Sequence, residues 1–177
     1  ENEKLFFIEN HDENGTQPGV SLFDTLGITQ DANMMKFDNA ATELVRSNGW
    51  YVEFRVNTLD NTGDRFGHHM QIEDDVGGIG ILLNPTSIEF YKDDYATYPG
   101  DPELGGPQAV SPGFHIVRVS MAPGGTHFEV RIDGNLIGAV AGDIRGVGSP
   151  SFSFGDGSSQ SAGRAVWDYI DINKQNV

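Results

Sequence analysis

The stretch that decides the fold lies in the last third of the chain. It reads Phe114-His-Ile-Val-Arg-Val-Ser-Met121, then Ala122-Pro-Gly-Gly125, then Thr126-His-Phe-Glu-Val-Arg-Ile-Asp-Gly134. Apolar and polar residues alternate in both long runs, and a period of two indicates strands with one buried and one exposed face. The glycine-rich link between them has the composition of a hairpin turn. This stretch therefore predicts two neighbouring antiparallel strands.

The same alternation recurs along the rest of the chain. In the segment 49–59, Trp50 and Phe54 share one predicted face while Glu53 and Arg55 share the other. Shorter runs of this kind occupy 4–8, 20–23, 34–37, 66–73, 79–83, 87–92 and 164–172. About twelve strands separated by turn signals require two packed sheets. The sequence therefore predicts one all-β domain over residues 1–177, a two-sheet antiparallel β-sandwich.

Composition limits the class of partner. The 177-residue chain carries a formal net charge of −15, which argues against nucleic acid and against anionic membrane surfaces. It has no cysteine, which excludes thiol catalysis and disulfides, and no run approaches the ~20 apolar residues of a membrane helix. Because the chain begins with Glu1, we expect a processed mature form or an excised domain. The acidity of the chain fits an extracellular or periplasmic protein, and we expect that location.

The C-terminal motifs resemble one fold family. Phe128-Glu-Val-Arg-Ile-Asp-Gly134, Phe154-Gly-Asp-Gly-Ser-Ser159 and Trp167-Asp-Tyr-Ile170 are similar to motifs of the laminin-G-like, concanavalin-type jelly roll. The resemblance covers about residues 48–172 and implies a jelly-roll sandwich that handles carbohydrate. It does not extend to the Glu-x-Asp-x-x-Glu triplet that retaining β-glucanases of this fold carry on one strand.

Several polar side chains point away from the predicted core. The planar side-chain groups of arginine, glutamine and glutamate form hydrogen bonds with sugar hydroxyls, and aromatic rings stack on the apolar faces of sugars. We therefore predict a glycan-binding groove on a sheet face and in the adjoining irregular segment 93–112, which has the length of a functional loop. Its predicted residues are Arg55, His69, Gln71, Glu89, Tyr91, Tyr95 and Arg118. The alternative for each is ordinary cross-strand charge pairing, worth ~0.2–1 kcal/mol per pair.

A calcium site is a second expectation. Asn10-x-Asp12-x-Asn14-Gly15 places oxygen ligands at alternate positions before a glycine, as calcium loops do, although Ser21 stands where an EF-hand has its closing glutamate. The resemblance implies a structural calcium between an N-terminal loop and the last strand. The predicted ligands are Asn10, Asp12, Asp24 and Asp168. The alternative for Asp168 is a carboxylate that caps backbone amides beside Trp167, and for the acidic segment 73–75 we expect a solvated hairpin turn.

These observations predict a secreted, non-catalytic, lectin-like module that binds a polysaccharide or other glycan. The first alternative is a polysaccharide lyase or glycoside hydrolase on the same scaffold, with Arg55, His69, Gln71 and Tyr91 as the elements of a lyase centre. Gln71-Ile72 is similar to the Gln-Ile/Val-His segment of alginate lyases, but Glu73 replaces the histidine. The second alternative is a structural or adhesion domain that works beside other domains of a larger surface protein.

Overall fold

The computed structural model of the chain describes residues 3–5, 21–24, 33–37, 44–62, 68–92, 103–141, 150–156 and 162–174. Within these ranges thirteen strands pair antiparallel, and the helical structure is a single 3₁₀ turn at Arg46–Asn48. The strands are β1 (Glu3–Leu5), β2 (Ser21–Asp24), β3 (Asn33–Phe37), β4 (Trp50–Thr62), β5 (His68–Glu73), β6 (Gly78–Asn84), β7 (Ser87–Lys92), β8 (Gln108–Ala109), β9 (His115–Met121), β10 (His127–Ile132), β11 (Asn135–Ala141), β12 (Ser151–Asp156) and β13 (Ala162–Lys174). None of the described segments forms a helix that is long and apolar enough to cross a membrane.

The strands form two sheets. Sheet A has six strands in the order β1-β13-β4-β9-β10-β11, and sheet B has seven in the order β2-β3-β12-β5-β6-β7-β8. The two longest strands, β4 and β13, lie side by side in sheet A. This arrangement confirms the predicted all-β sandwich, and it places the N-terminal and C-terminal strands in contact.

The core lies between the sheets and is aromatic. Trp50 and Phe54 of β4 face inward with no exposed surface, as do Phe128 and Val130 of β10, and the predicted parity of both strands is therefore confirmed. Sheet B contributes Phe154, whose ring centroid lies 4.8 Å from that of Trp167. Each buried aromatic ring removes ~150–250 Å² from water, so this layer is the main source of stability.

The paired histidines at the start of β5 point to opposite faces, as the strand period predicts. His68 is fully buried, and its Nε2 accepts a hydrogen bond from Trp167 Nε1 at 3.0 Å. Burial, with a smaller effect from the charge of His69, lowers the pKa of His68 to about 3. His68 is therefore a neutral core residue, whereas His69 stands on the outer face of sheet B with 9% of its surface exposed.

One acidic turn differs from the expectation. Asp74 was expected to be solvated, but it is 3% exposed and accepts hydrogen bonds from Arg46 Nε at 2.9 Å and Nη2 at 3.0 Å. Trp50 Nε1 donates to it at 3.3 Å, and the backbone amides of Val76 and Gly77 donate at 2.8 Å. Arg46 precedes β4 and Asp74 follows β5, so this buried ion pair ties sheet A to sheet B.

The described part of the long irregular segment is attached to the edge of sheet B. Glu103 N donates to Phe90 O at 2.7 Å, and Val110 N donates to Thr86 O at 3.0 Å. Between these two bonds the short strand β8, which the sequence did not indicate, pairs with β7. The segment 103–114 therefore follows β7 before it crosses to β9 in sheet A.

Candidate functional site

The structure divides the predicted glycan-binding residues between the two sheets. The outer faces of two packed sheets point in opposite directions, so a single groove cannot contain residues from both. The expectation of one shared groove is therefore wrong. Sheet A carries Arg55 and Arg118, sheet B carries His69, Gln71, Glu89 and Tyr91, and Tyr95 lies outside the described residues.

On the outer face of sheet A the charged residues pair with one another. Arg118 lies 3.8 Å from the centroid of the Tyr51 ring and 3.6 Å from Glu53 Oε2. Tyr169 OH donates to Glu53 Oε1 at 2.9 Å, and burial, with help from that carboxylate, raises the pKa of Tyr169 to about 12. These contacts are cross-strand side-chain pairs of the kind that stabilises the solvent-exposed face of a sheet.

The Arg55 guanidinium contacts both an aromatic ring and a carboxylate. Its guanidinium lies 4.1 Å from the centroid of the Phe114 ring and donates to Asp168 Oδ2. Arg55 and Asp168 are 36% and 46% exposed, so the contact lies at the surface. In this structure Arg55 therefore stabilises the β4, β9 and β13 region of sheet A.

The outer face of sheet B has a different construction. Along β6 the side chains of Ile79 and Ile81 enter the core, so Gly78, Gly80 and Leu82 occupy the outward positions. A Cβ placed on Gly80 would meet one described atom within 4 Å, Tyr91 Cβ at 3.9 Å. The two glycines have no side chains, although both are buried in the fold, and we call this part of the face the glycine trough. Its borders are Gln71, Glu73, Glu89, Tyr91, Ser151 and Ser153.

The register fixes how these border residues surround the floor. Gly80 lies opposite Gln71 on one side and Tyr91 on the other, and Ser153 follows Gln71 in the same row. Gly78 lies opposite Glu73 in the neighbouring row. The trough therefore crosses strands β12, β5, β6 and β7 at the centre of sheet B.

Two carboxylates of the trough accept hydrogen bonds from neutral donors. Glu73 accepts from Gln71 Nε2 at 3.1 Å and from Ser151 Oγ at 3.2 Å. Glu89 accepts from Tyr91 OH and, at 3.4 Å, from Asn84 Nδ2. These bonds hold both carboxylates in fixed orientations on the face.

The aromatic residue of the trough does not present an open ring. Tyr91 was predicted to stack on a sugar, but it is 4% exposed and its hydroxyl is directed at Glu89. A ring this covered has no free face for a pyranose in this conformation. Tyr91 therefore acts in the structure as the residue that positions Glu89.

Glu73 and Glu89 stand two strands and four residues apart in register, so their backbones are roughly 16 Å apart. Their carboxylates are directed towards the row of Gly80, one accepting from Gln71 and the other from Tyr91. The predicted lyase grouping is not assembled, because Arg55 belongs to the opposite sheet.

The described residues give limited support to the predicted calcium ligands. Asp168 is 46% exposed and is bound by the cationic Arg55, which competes with a metal for the carboxylate. Asn10 and Asp12 lie outside the described ranges, and Asp24 is described by its backbone alone. No group of three or more histidine, aspartate or glutamate side chains in the described part of the chain is placed to hold a metal. Calcium therefore stays a prediction.

Comparison with known proteins finds likeness in structure. The sequence matches no protein-family model and no curated protein. A carbohydrate esterase from the Shiga toxin-encoding bacteriophage phi24B superposes with a TM-score of 0.59 at 12% identity, over 99% of this chain and 90% of that chain. Alginate lyase A1-II′, of polysaccharide lyase family 7, superposes with a TM-score of 0.56 at 9% identity, over 87% of this chain and 76% of that chain.

A third solved structure is that of botulinum neurotoxin type C, which interacts with two ganglioside molecules. It gives a TM-score of 0.51 at 11% identity, and the match covers 99% of this chain and 44% of that chain. At identities this low the likeness establishes the jelly-roll sandwich fold alone.

Sequence reasoning missed the small residues of the site. Gly78, Gly80, Ser151 and Ser153 carry no obvious chemistry, so a search for charged and aromatic groups passes over them. The signal was nevertheless present, because glycine replaces the polar member of the alternation in Gly78-Ile-Gly80-Ile. In a strand, glycine often marks a position where a ligand or another backbone comes close.

Proposed function

We propose that this protein is a secreted, lectin-like module that binds a glycan in the glycine trough of sheet B. The observation that carries the proposal is the gathering of amide, hydroxyl and carboxylate groups around Gly78 and Gly80, which have no side chains. Solved proteins of the same fold that are described as a carbohydrate esterase, an alginate lyase and a ganglioside-interacting toxin support it. Binding is argued from the trough itself, since one fold hosts many functions.

The chemistry of the trough suits sugars. Each sugar hydroxyl both donates and accepts, and Glu73, Glu89, Gln71 and Ser153 offer acceptors and donors on one surface. A small number of convergent hydrogen-bonding groups is the usual way in which a pocket fixes the orientation of its ligand.

Non-catalytic binding is the form of the function that the described residues favour. The arginine of the lyase hypothesis stands on sheet A, away from His69, Gln71 and Tyr91 on sheet B. Incubation with soluble polysaccharides should therefore yield neither new reducing ends nor the absorbance of an unsaturated uronate. Product formation would replace the binding proposal with the enzyme alternative.

The test of the site uses two matched substitutions. Gly80→Val adds two methyl groups and a Cβ to the trough floor, and its φ lies outside the left-handed region, so a β-branched residue fits the strand. Ala139→Val, at an exposed position on β11 of sheet A, is the control of similar size. Binding is measured first on an array of oligosaccharides and then by calorimetry with the best ligand.

We expect Gly80→Val to weaken glycan binding by about tenfold or more, since the added methyl groups occupy ligand space. Ala139→Val should bind like the parent chain. Gln71→Ala, which deletes an amide without adding volume, should also weaken binding and covers the case in which Gly80→Val fails to fold. A folded Gly80→Val protein with parental affinity would refute the trough as the site, and loss of binding in Arg118→Ala would move it to sheet A.

A structural calcium ion bound by Asn10, Asp12, Asp24 and Asp168 is a separate part of the proposal. If it is correct, calcium should raise the thermal midpoint relative to EGTA, and Asp168→Asn should abolish that rise. Equal midpoints in calcium and in EGTA would remove the site without affecting the trough.

A further inference from the structure

We propose that His115 acts as a pH-dependent switch, which holds the end of the segment 103–114 over a cleft between the two sheets while its ring carries two protons. This inference concerns the place where the segment crosses from sheet B to sheet A, and it does not depend on glycan binding in the glycine trough. It follows from the hydrogen bonds at both ring nitrogens of His115 and from the backbone of the segment.

A narrow cleft lies between the sheets where the segment ends. Its lining comes from both sheets and from the segment, and includes Val56, Thr58, Ile88, Val110, Gly113 and His115. The space inside has room for about one water molecule. A larger molecule can therefore enter this cleft only if one of its walls moves.

The first part of the segment is fixed to sheet B by its backbone. Glu103 N donates to Phe90 O at 2.7 Å, and Val110 N donates to Thr86 O at 3.0 Å. Strand β8, which lies between these two bonds, pairs with β7. We therefore expect residues 103–110 to keep their place when the end of the segment moves.

The end of the segment, residues 111–114, has a backbone that can turn. Gly113 has a φ of 135°, which glycine adopts without steric cost. A Cβ placed on Gly113 would meet no described atom within 4 Å, so close packing does not fix this residue. Ser111, which precedes it, is exposed, and its carbonyl oxygen lies 2.6 Å from His115 Nε2. This hydrogen bond joins the end of the segment to β9.

The bond to Ser111 requires the doubly protonated ring. His115 Nδ1 lies 2.7 Å from Asp133 Oδ2, so both ring nitrogens face acceptors. A neutral imidazole has one N–H, and the charged carboxylate of Asp133 is the stronger acceptor for it. The lone pair of Nε2 then faces the carbonyl oxygen of Ser111. Loss of one proton therefore breaks the bond to Ser111 and leaves the bond to Asp133.

The other charged groups near the ring have partners of their own. Two arginines are each bound to a carboxylate, Arg131 to Glu129 and Arg55 to Asp168. The residues 110–114, strand β11 and Val56, which lies opposite His115 on β4, carry no charge. Asp133 is therefore the charged group that determines which proton the ring keeps.

The direction of the switch follows from the protonation of the ring. Burial lowers the pKa of His115, but the bonds to Asp133 and Ser111 prevail and raise it above 6.5. The ring is therefore charged in mild acid, where it holds the end of the segment closed. As the pH rises through the raised pKa, the bond to Ser111 is lost and the cleft opens.

The test uses the absence of cysteine from the chain. Val110→Cys and Thr58→Cys each place a single thiol on one wall of the cleft, and both changes nearly preserve side-chain size. Ala109→Cys, at an exposed position on β8, is the matched control. The rate of reaction with iodoacetamide is measured at pH 5.5 and 8.5. Division by the rate of Ala109→Cys removes the ordinary pH dependence of a thiol.

We expect the relative rate at both cleft positions to rise about tenfold between pH 5.5 and 8.5, because a bond from a charged donor is lost. In a His115→Ala background the relative rate should be high and equal at the two pH values. Asp133→Asn should move the rise to lower pH, since an uncharged side chain no longer favours the imidazolium. Tryptophan fluorescence verifies that each variant is folded.

Relative rates that do not change with pH would overturn the inference. A change with pH that persists in the His115→Ala background would also overturn it, because another group would then control the cleft. Each cleft position is sufficient for the test, so the second position replaces the first if one cysteine variant fails to fold.

Discussion

The two outer faces of this sandwich are built from the same kind of alternating strand, yet they differ in what their outward positions carry. On sheet A, arginine, glutamate and tyrosine pair with one another across strands, as Arg118 does with Tyr51 and Glu53. On sheet B, glycine and serine occupy the centre, and glutamates are held by neutral donors. The outward charges of sheet A therefore pair with one another, whereas the centre of sheet B is built from small residues and from glutamates that neutral groups orient.

The comparison shows that an outward polar residue is not by itself a site residue. Arg55 and Gln71 both follow the parity rule, but one is bound to Asp168 on a scaffold face and the other borders the trough. They differ in what lies opposite on the neighbouring strand: Gln71 faces Gly80, which has no side chain, and its amide donates to Glu73 on its own strand.

The largest effect that we predict concerns the ion pair between the two faces. Asp74→Ala should lower the free energy of unfolding by about 3–5 kcal/mol, because it leaves the Arg46 guanidinium buried without its partner. Urea denaturation measures this change. The double variant Arg46→Met/Asp74→Leu should recover only part of the loss, since it removes both charges but leaves Trp50 Nε1 and the amides of Val76 and Gly77 without their acceptor. A loss below about 1 kcal/mol for Asp74→Ala would mean that the pair is solvated in solution.

A smaller, pH-dependent effect is expected where the segment 103–114 reaches sheet A. His115 Nδ1 lies 2.7 Å from Asp133 Oδ2, and its Nε2 lies 2.6 Å from Ser111 O. Both partners are acceptors, so the ring satisfies both when it is the doubly protonated imidazolium. Burial lowers the pKa of His115, but the hydrogen bonds to Asp133 and Ser111 outweigh it and raise the pKa above 6.5.

The sign of the pH effect follows from these shifts. A raised histidine pKa stabilises the fold below about 6.5, and this contribution disappears as the pH rises through the folded-state pKa. The pKa of Asp133 is lowered: burial alone would raise it, but the bonds from His115 and Ile116 prevail, so its contribution is lost in acid below about 3.8. The nearby charged side chains are Arg131, which donates to Gly134 O at 3.2 Å, and Arg55, whose guanidinium lies over the Phe114 ring.

We therefore expect the stability difference between the parent chain and His115→Asn to be about 0.5–1 kcal/mol at pH 5.5 and to shrink by pH 8.5. The expected difference in stability is small because Asp133 is 45% exposed and solvent screens its interaction with His115. Urea melts of both proteins at the two pH values give the difference directly. A difference that grows with pH would contradict the imidazolium geometry.

The smallest change in stability is expected for an ion pair on the outer face of sheet A. Arg131 and Glu129 are joined at 2.9 Å but are 38% and 46% exposed, so Arg131→Ala should cost about 0.5 kcal/mol or less. The same variant should leave glycan binding unchanged. Thermal melts in low and high salt test the first point, and a marked loss of binding would show that sheet A takes part in recognition.

The fold was largely predictable from sequence because strand period is a local signal. Alternation alone placed Trp50 and Phe54 on one face and Glu53 and Arg55 on the other, and the first two residues do lie in the core. Sheet membership was not predictable in this way. The sequence around Arg55 or Gln71 does not indicate which strands lie beside theirs. Strand β4 pairs with β13 and β5 pairs with β12, and both partner strands are distant along the chain.

The candidate site was predictable in part for the same reason. His69, Gln71, Glu89 and Tyr91 were identified from parity and do share one face. The Arg46–Asp74 pair joins residues 28 positions apart, and no local pattern distinguishes Asp74 from its neighbours in Glu73-Asp74-Asp75. Long-range pairing is decided by packing, which periodicity does not encode.

The buried histidine beside Trp167 gives the molecule its own spectroscopic reporter. Because His68 Nε2 accepts the indole proton, the ring proton of this neutral side chain sits on Nδ1, for which the described residues supply no acceptor. In nuclear magnetic resonance spectra this N–H should exchange slowly with solvent and keep its chemical shift from pH 5 to 9, while the signal of His115 moves. Loss of the His68 Nδ1–H signal would show that the two sheets have separated. The effect of a ligand on the opening of the sandwich can therefore be followed through this one proton.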